Sequence, residues 1–362
     1  MRRFLSPMAL LSAGGLTLVL GAGCGSESRS SVPTSPAGTD GGASVAAEGG
    51  AFDPNIPPSS GVDAGCLGGA PPNKATDITI DPAYASKYTA FDLGAIPGLP
   101  LAKYGGLVLS AGDENTLFIG GAANEAGAGI YAVTLVRSAC KHIVGFSGTA
   151  KKIANAPYID GGLVYGGGGT LMFTAWPSDE MVRQNTSGMI GFLPPGAQSP
   201  TKTINGTNFA MPEALAALGF VPKGFPGEGK LKLVTWEGGN WYDATLALDG
   251  SGRPTDVTSA TQKMTVPGGP EGFAYVPQGS PLFTAPSMVL SEWSKNAVAT
   301  YEITGDGDPS LATRKTFLTG LSGAEGAFFD PATGDFLFST WNLNKPERLV
   351  VVLGFVPFDA PK

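Results

Sequence analysis

Five short apolar runs recur along the chain, each beginning with glycine. They are Gly106-Leu107-Val108-Leu109, Gly162-Leu163-Val164-Tyr165, Gly219-Phe220-Val221-Pro222, Gly272-Phe273-Ala274-Tyr275 and Gly326-Ala327-Phe328-Phe329. Successive glycines are 56, 57, 53 and 54 residues apart. Nearly continuous apolar runs of this length fit inner strands packed on both faces. A second run follows each time: Thr116–Gly121, Thr170–Trp176, Lys230–Trp236, Met288–Trp293 and Asp335–Trp341. In four of the five copies it ends in tryptophan. A third, less regular run comes next: Gly129–Val136, Met189–Pro194, Trp241–Leu248, Ala297–Ile303 and Arg348–Phe355. Hairpin chemistry such as Asp249-Gly250-Ser251-Gly252 and Gly305-Asp306-Gly307-Asp308 then leads to an outer strand. A strand-built repeat with a period near ~50 residues predicts a β-propeller.

The outer-strand candidates are Lys151–Ala154, Pro200–Ile204, Asp256–Met264 and Arg314–Leu318, so the fifth copy has none. Upstream of the first copy, Ile78–Leu93 contains spare strand-like sequence. The expected architecture is therefore all-β: five blades of four antiparallel strands, the last completed by residues from about 76–93. Six blades is the alternative, with residues 75–104 forming a reduced blade of their own.

The N-terminal region reads differently. Arg2 and Arg3 precede a mostly apolar stretch from Met8 to Leu20, the charge pattern of an export signal and too short to span a membrane comfortably. Leu20-Gly21-Ala22-Gly23-Cys24 resembles a bacterial lipobox, in which the cysteine is lipidated and becomes the mature N-terminus. That family prefers leucine where this chain has Gly21, which keeps ordinary signal-peptidase cleavage open as the alternative. Residues 25–74 are rich in Gly, Ser, Ala and Pro, with Phe52 their only aromatic. Such a segment cannot bury enough apolar surface to offset its ordering entropy, and reads as a tether. The domain plan is thus 1–24 signal with Cys24, 25–74 tether and 75–362 propeller. Gly25, where inner-membrane retention uses Asp, points to the outer membrane; a secreted or periplasmic protein is the alternative.

The chain has 23 Lys+Arg, 30 Asp+Glu and a net charge of −7. Removing residues 1–23 makes it −9, which argues against nucleic acid and anionic lipid surfaces as partners. If Cys24 carries lipid, Cys66 and Cys140 remain in an oxidising compartment and are expected to pair; two unpaired thiols is the other reading.

Candidate chemistry gathers at one end of the repeat. The first two strands of a blade run antiparallel, so the start of one and the end of the next share a face. Glu271 and Glu325 precede their glycines directly, with Asp160 and Tyr104 one step further back in earlier copies. Trp176, Trp236, Trp293 and Trp341 fall at the same face, as do loops carrying Asn124, Asn185, Asn240, Asn296, Asn342 and Asn344. The glutamates have two readings. They accept backbone N–H bonds and lock neighbouring blades, or they share a metal or substrate site. Carboxylates with amide carbonyls suit Ca²⁺ rather than Zn²⁺. The tryptophans either pack between blades or form a platform for a flat ligand such as a sugar. Asp306-Gly307-Asp308 reads as a hairpin turn, since it lacks the distal Glu of an EF-hand.

Much chemistry is disfavoured. His142 is the only histidine, and no Gly-x-Ser-x-Gly elbow accompanies it. No His/Cys cluster has zinc or haem spacing. Gly166–Gly169 is a turn between strands rather than a phosphate cradle.

The phrases Pro270-Glu271-Gly272-Phe273-Ala274-Tyr275 and Ala324-Glu325-Gly326-Ala327-Phe328-Phe329-Asp330-Pro331 resemble propellers of the NHL and SMP-30/gluconolactonase-like group. The chain is also similar to secreted bacterial propeller lipoproteins with no assigned activity. In the former group a Glu-Gly strand supplies a Ca²⁺ ligand at the channel, and some members hydrolyse lactones. The resemblance implies that role for Glu271 or Glu325. The resulting expectation is a lipid-anchored envelope propeller binding a protein or glycan partner without turnover. A Ca²⁺-dependent lactonase or esterase-like hydrolase is the first alternative, and a purely structural envelope protein the second.

Overall fold

A computed structural model describes residues 69–100, 103–212, 214–341 and 346–358. The signal-like segment, Cys24, Cys66 and residues 25–68 of the tether lie outside the described residues, as do Asn342 and Asn344. Cys140 is disulfide-bonded, while Cys66, its expected partner, lies outside the described residues.

The described residues form five antiparallel sheets, and the six-blade alternative fails. Blade one comprises Leu107–Ser110, Asp113–Gly121, Gly129–Arg137 and Ile143–Asn155. Blade two comprises Ile159–Tyr165, Leu171–Ala175, Met189–Leu193 and Lys202–Asn205. Blade three runs through Leu215–Phe220, Leu231–Thr235, Asn240–Leu248 and Pro254–Thr265. Blade four runs through Pro270–Tyr275, Ser287–Glu292, Ala297–Glu302 and Lys315–Thr319. Blade five contains Ala324–Phe329, Phe336–Thr340 and Leu349–Leu353, and takes its outer strand, Thr89–Gly94, from the N-terminal side.

That closing strand pairs Thr89 with Leu353, Phe91 with Val351 and Gly94 with Leu349. Arg348 clamps it, reaching Asp92 at 2.7 Å and Asp77 at 2.8 Å. The N-terminal side also supplies a feature the sequence reading lacks. Thr79–Ile80 adds a fifth strand to blade four, so residues before blade one hold two blades. The first contacts fall inside the assigned tether: Lys74 bridges Phe91, and the Asn73 carbonyl accepts from Asp92 N at 2.8 Å.

Five hydrophobic clusters fill the five seams between neighbouring blades. Phe317, Phe336 and Phe338 are fully buried between blades four and five. Leu337 and Val351, on the opposite face of blade five, pack toward blade one. Two-sided burial explains why the inner strands lack polar alternation. Each fully buried large side chain contributes about 1.5–3 kcal/mol, so the seams are the main stabilising structure. Polar links add direction. Buried Lys232 binds Asp243 and Asp308, and Asp308 accepts from the Trp241 indole at 2.9 Å, joining blades three and four. Asp335 accepts from Ile143 N and bonds His142, joining blades five and one.

One position corrects the sequence reading. Gly162, Gly272 and Gly326 stand third or fourth in their strands, whereas Gly219 is the fifth of six residues in Leu215–Phe220 and lies two residues beyond their equivalent. The register aligns Leu218, opposite Leu233, with Phe273, opposite Leu290. Blade three therefore carries Ala216-Ala217 where blades four and five carry Glu-Gly.

Candidate functional site: an acid-floored mouth of the channel

Each inner strand enters its blade through the same device. A left-handed residue precedes it in all five blades, directly before the strand in four and four residues ahead of Leu107 in blade one: Lys103, Tyr158, Ala214, Gly269 and Gly323, with φ between 62° and 64°. Its carbonyl accepts the N–H at the end of the adjacent strand: Ala123, Trp176, Trp236, Trp293 and Trp341 in turn. The tryptophans are thus set by a repeated backbone clamp, and Ala123 is their counterpart in blade one. Three of the five left-handed residues are not glycine, a strain of about 1–2 kcal/mol each, and Lys103 and Ala214 line the cavity described below. Strain of this kind concentrates at functional sites.

Next along each inner strand of blades two to five the register slips. The irregularities fall between Ile159 and Leu163, Leu215 and Ala217, Pro270 and Phe273, and Ala324 and Ala327. Bulges re-aim side chains, and Asp160, Glu271 and Glu325 sit inside three of these. The corresponding residue in blade three is Ala216, and blade one has Gly105 just before Gly106 and Leu107. Two blades supply no carboxylate, and that leaves room for the acids of the other three.

The three acids converge. One oxygen from each of Asp160, Glu271 and Glu325 lies within 4.8 Å of the others, and all three residues are buried. Glu271 Oε2 has no hydrogen-bond partner, which sets aside the blade-locking role for that oxygen. It faces Gly161, where a Cβ would stand 3.3 Å from it. Asn124 Nδ2 donates to Asp160 Oδ1 and to the Trp176 carbonyl, both at 3.0 Å, while Asn124 Oδ1 accepts from Trp341 Nε1 at 2.7 Å. Asn124 thus positions Asp160 and Trp341 with its own oxygen already engaged.

Burial shapes the titration of this cluster. Burial pushes Asp160 up to about 6, opposed by hydrogen bonds from Glu325 and Asn124. Glu271 is driven well above the usual carboxylate range by burial and then by the Asp160 charge. Glu325 is driven up by burial and by the charges of Glu271 and Asp160. The cluster thus holds protons near neutrality unless a cation replaces them.

Above the acids is a cavity of about 240 Å³ lined by Lys103, Asn124, Trp176, Trp236, Trp293 and Trp341, with Ser178, Arg183 and Ala214 at its rim. Trp236, Trp293 and Trp341 form an edge-to-face chain, with centroids 5.8 and 5.5 Å apart. Two of their indoles reach the next blade's left-handed glycine: a Cβ on Gly269 would stand 2.8 Å from Trp236 Nε1, and one on Gly323 would stand 2.7 Å from Trp293 Nε1. The four tryptophans are therefore both blade packing and cavity wall. Lys103 Nζ lies 4.9 Å from the Trp341 ring and pairs with Glu125 at 3.0 Å, and Arg183 lies 5.9 Å from Trp176.

All seven face residues singled out from the sequence, Asp160, Trp176, Trp236, Glu271, Trp293, Glu325 and Trp341, line this one cavity. Other expected members do not. Asn185 bonds the Met181 carbonyl, Asn240 faces Gln262 and Thr265, and Asn296 ends a turn in left-handed conformation. Tyr104 is fully buried and accepts from Ile96 N. The sequence reading missed Lys103, Ser178, Arg183 and Ala214. Lys103 and Ala214 had a signal, since both sit where blades four and five have glycine before the inner strand.

The donor set suits a hard divalent cation. Two Ca²⁺–oxygen bonds of about 2.3–2.6 Å span the observed oxygen separations, and all candidate donors are oxygen. Fold and site together define a five-bladed propeller with an acidic, tryptophan-walled mouth.

No family model and no curated protein matches the chain. Among solved structures, a luciferin-regenerating enzyme is similar at 12% identity over 80% of this chain and 97% of its own, with a TM-score of 0.43. A protein assigned as a gluconolactonase shows 12% identity over 77% and 98%, with a TM-score of 0.42. The PQQ-bound aldose sugar dehydrogenase of Streptomyces coelicolor shows 15% identity over 72% and 83%, with a TM-score of 0.38.

Proposed function

We propose that this protein is a cation-dependent hydrolase of small cyclic esters, acting at the acidic mouth of the propeller. The convergence of Asp160, Glu271 and Glu325 beneath the tryptophan wall carries this reading. Together with the Glu-Gly strands, it favours the hydrolase over passive ligand retention. Three carboxylates stripped of solvent cost stability unless they are loaded, and groups perturbed in this way inside a cleft mark functional sites.

The three carboxylates would hold a Ca²⁺-like ion, which would supply Lewis-acid polarisation of an ester carbonyl. Trp176, Trp236, Trp293 and Trp341 would stack on the ring of the substrate and leave its ester at the acidic floor, open to the water that hydrolysis consumes. Lys103 and Arg183, at the rim, orient its polar edge. His142 is committed to Asp335 on the seam between blades five and one, so the acid–base groups among the described cavity residues are the three carboxylates and Lys103. Before the cation enters, Asp160 is raised to about 6, so loading the site would displace protons near neutral pH. Retention of a ligand without turnover is the second reading, favoured by Asn124, whose oxygen is already engaged.

A panel of γ- and δ-lactones and aryl esters, assayed with Ca²⁺ or a chelator, tests this. Ca²⁺-dependent turnover that Glu271→Gln lowers at least ~100-fold, about 2.7 kcal/mol, supports the hydrolase. Absence of Ca²⁺ binding removes the hydrolase as framed, and a ligand captured from a glycan and envelope-protein array without turnover supports retention. The proposal also keeps the lipid anchor at Cys24 and an outer-membrane location. Cys24→Ser should then release the protein from the membrane fraction, and unchanged fractionation would refute the anchor.

A further inference from the structure

The channel has a second cavity, and it does not communicate with the acidic mouth. The inner strands close on one another between the two. A Cβ on Gly106 would stand 2.6 Å from the Gly162 carbonyl carbon, and on Gly162 2.8 Å from Leu218 N. On Gly272 it would stand 2.3 Å from the Glu325 carbonyl, and on Gly326 2.8 Å from Gly106 Cα. These contacts cross four of the five seams, and Ala217 takes the corresponding position in blade three. Four glycines and one alanine thus form a narrow neck, and the cavities on either side share no lining residue.

The cavity beyond the neck has a volume of about 530 Å³, within the range of pockets that take drug-sized ligands. Its wall comes from the inner strands of all five blades, and its character is set by Leu163, Phe220, Phe273, Ala274, Phe328 and Phe329. Phe358 stands at its edge, anchored by its N–H to the Pro331 carbonyl at 3.2 Å. The polar groups at the wall are already engaged. Tyr165 OH accepts from Ala111 N, Tyr275 OH donates to the Gly307 carbonyl, and Glu228 accepts from Gly224 N. Glu228 is the one charged residue of the wall and is solvent-exposed, so an anionic guest would find no counter-ion, and water would find few partners; apolar cavities of ~150 Å³ already stay dry and take up benzene.

We infer that this blind cavity is a second ligand site, for an uncharged, ring-containing apolar molecule, separate from the acidic mouth. Aromatic edges and faces on several sides favour a flat ring over an extended acyl chain.

The test uses the uncharged fluorophore N-phenyl-1-naphthylamine with the full chain. It should bind saturably at one site per chain with blue-shifted emission. Ala274→Phe, which fills the cavity, should weaken binding at least ~10-fold. Glu271→Gln and a Ca²⁺ chelator should leave it unchanged, so a failure of the hydrolase reading does not disturb this result. Phe358→Ala, near the chain terminus and away from the seams' centres, gives the second readout and should shift affinity at least ~3-fold. Absence of saturable binding overturns the inference. So does binding indifferent to both Ala274→Phe and Phe358→Ala. Binding that falls as protein concentration rises, which would show a second copy covering the opening, overturns it as well.

Discussion

At the residue scale, the acidic mouth rests on left-handed residues that side chains ordinarily avoid. Ala214 adopts φ 64° where blades four and five use glycine. Ala214→Gly should therefore stabilise the protein by about 1 kcal/mol, the relief of strain outweighing the added chain entropy. An unchanged or lower unfolding midpoint in denaturant would contradict the strain argument. The carboxylates show how local detail hides from sequence. Glu271 and Glu325 were legible as Glu-Gly before an apolar run. Asp160 lies one residue further back, because Gly161 enlarges the bulge in blade two. Only the fold shows that this extra residue brings Asp160 to the others rather than away from them.

At the element scale, the ring depends on a strand borrowed from far upstream. Phe91 is buried in the seam between blades five and one and pairs with Val351. Phe91→Asp should place an unpaired charge in that seam and cost roughly 3–5 kcal/mol, read as a lower melting midpoint. Retention of the wild-type midpoint would mean that the strand does not lock the ring. The blade pattern was legible because two-sided burial writes itself as apolar runs, and because the missing last strand leaves a visible deficit. The copy at Gly219 was misread for a physical reason. Blade three carries Ala216-Ala217 at the neck, so the nearest glycine, three residues beyond Ala216, takes its place in the pattern. Ala123 likewise replaces the expected tryptophan in blade one, and only the shared backbone bond reveals the equivalence. The apolar cavity was not legible at all, since strands that line a void and strands that fill a core share one composition.

At the scale of the whole molecule, the acidic cluster ties stability to pH and, on the proposed function, to cations. The folded state holds protons on Asp160, Glu271 and Glu325 that the unfolded chain releases near its ordinary carboxylate range of about 4. Their contribution to stability is therefore fully present below that range. It is lost as pH rises through the raised values, about 6 for Asp160 and higher for the glutamates. Without Ca²⁺, the melting midpoint of wild type relative to Glu271→Gln should fall from pH 4 to 7. With Ca²⁺ at 100 times its dissociation constant, wild type should regain about 2.7 kcal/mol at pH 7. Parallel pH curves for the two proteins would show that the acids do not share their protons.

Ring closure also dictates an order of events. Thr89–Gly94 is made early, yet its partner Leu349–Leu353 comes more than 250 residues later. Until synthesis reaches that partner, an apolar edge waits unpaired, and loop closure over so long a span is slow. The chain therefore has every reason to remain unfolded while it is being made. Only an unclosed polypeptide enters a translocation pore, so the same delay is what the proposed export of the chain would require.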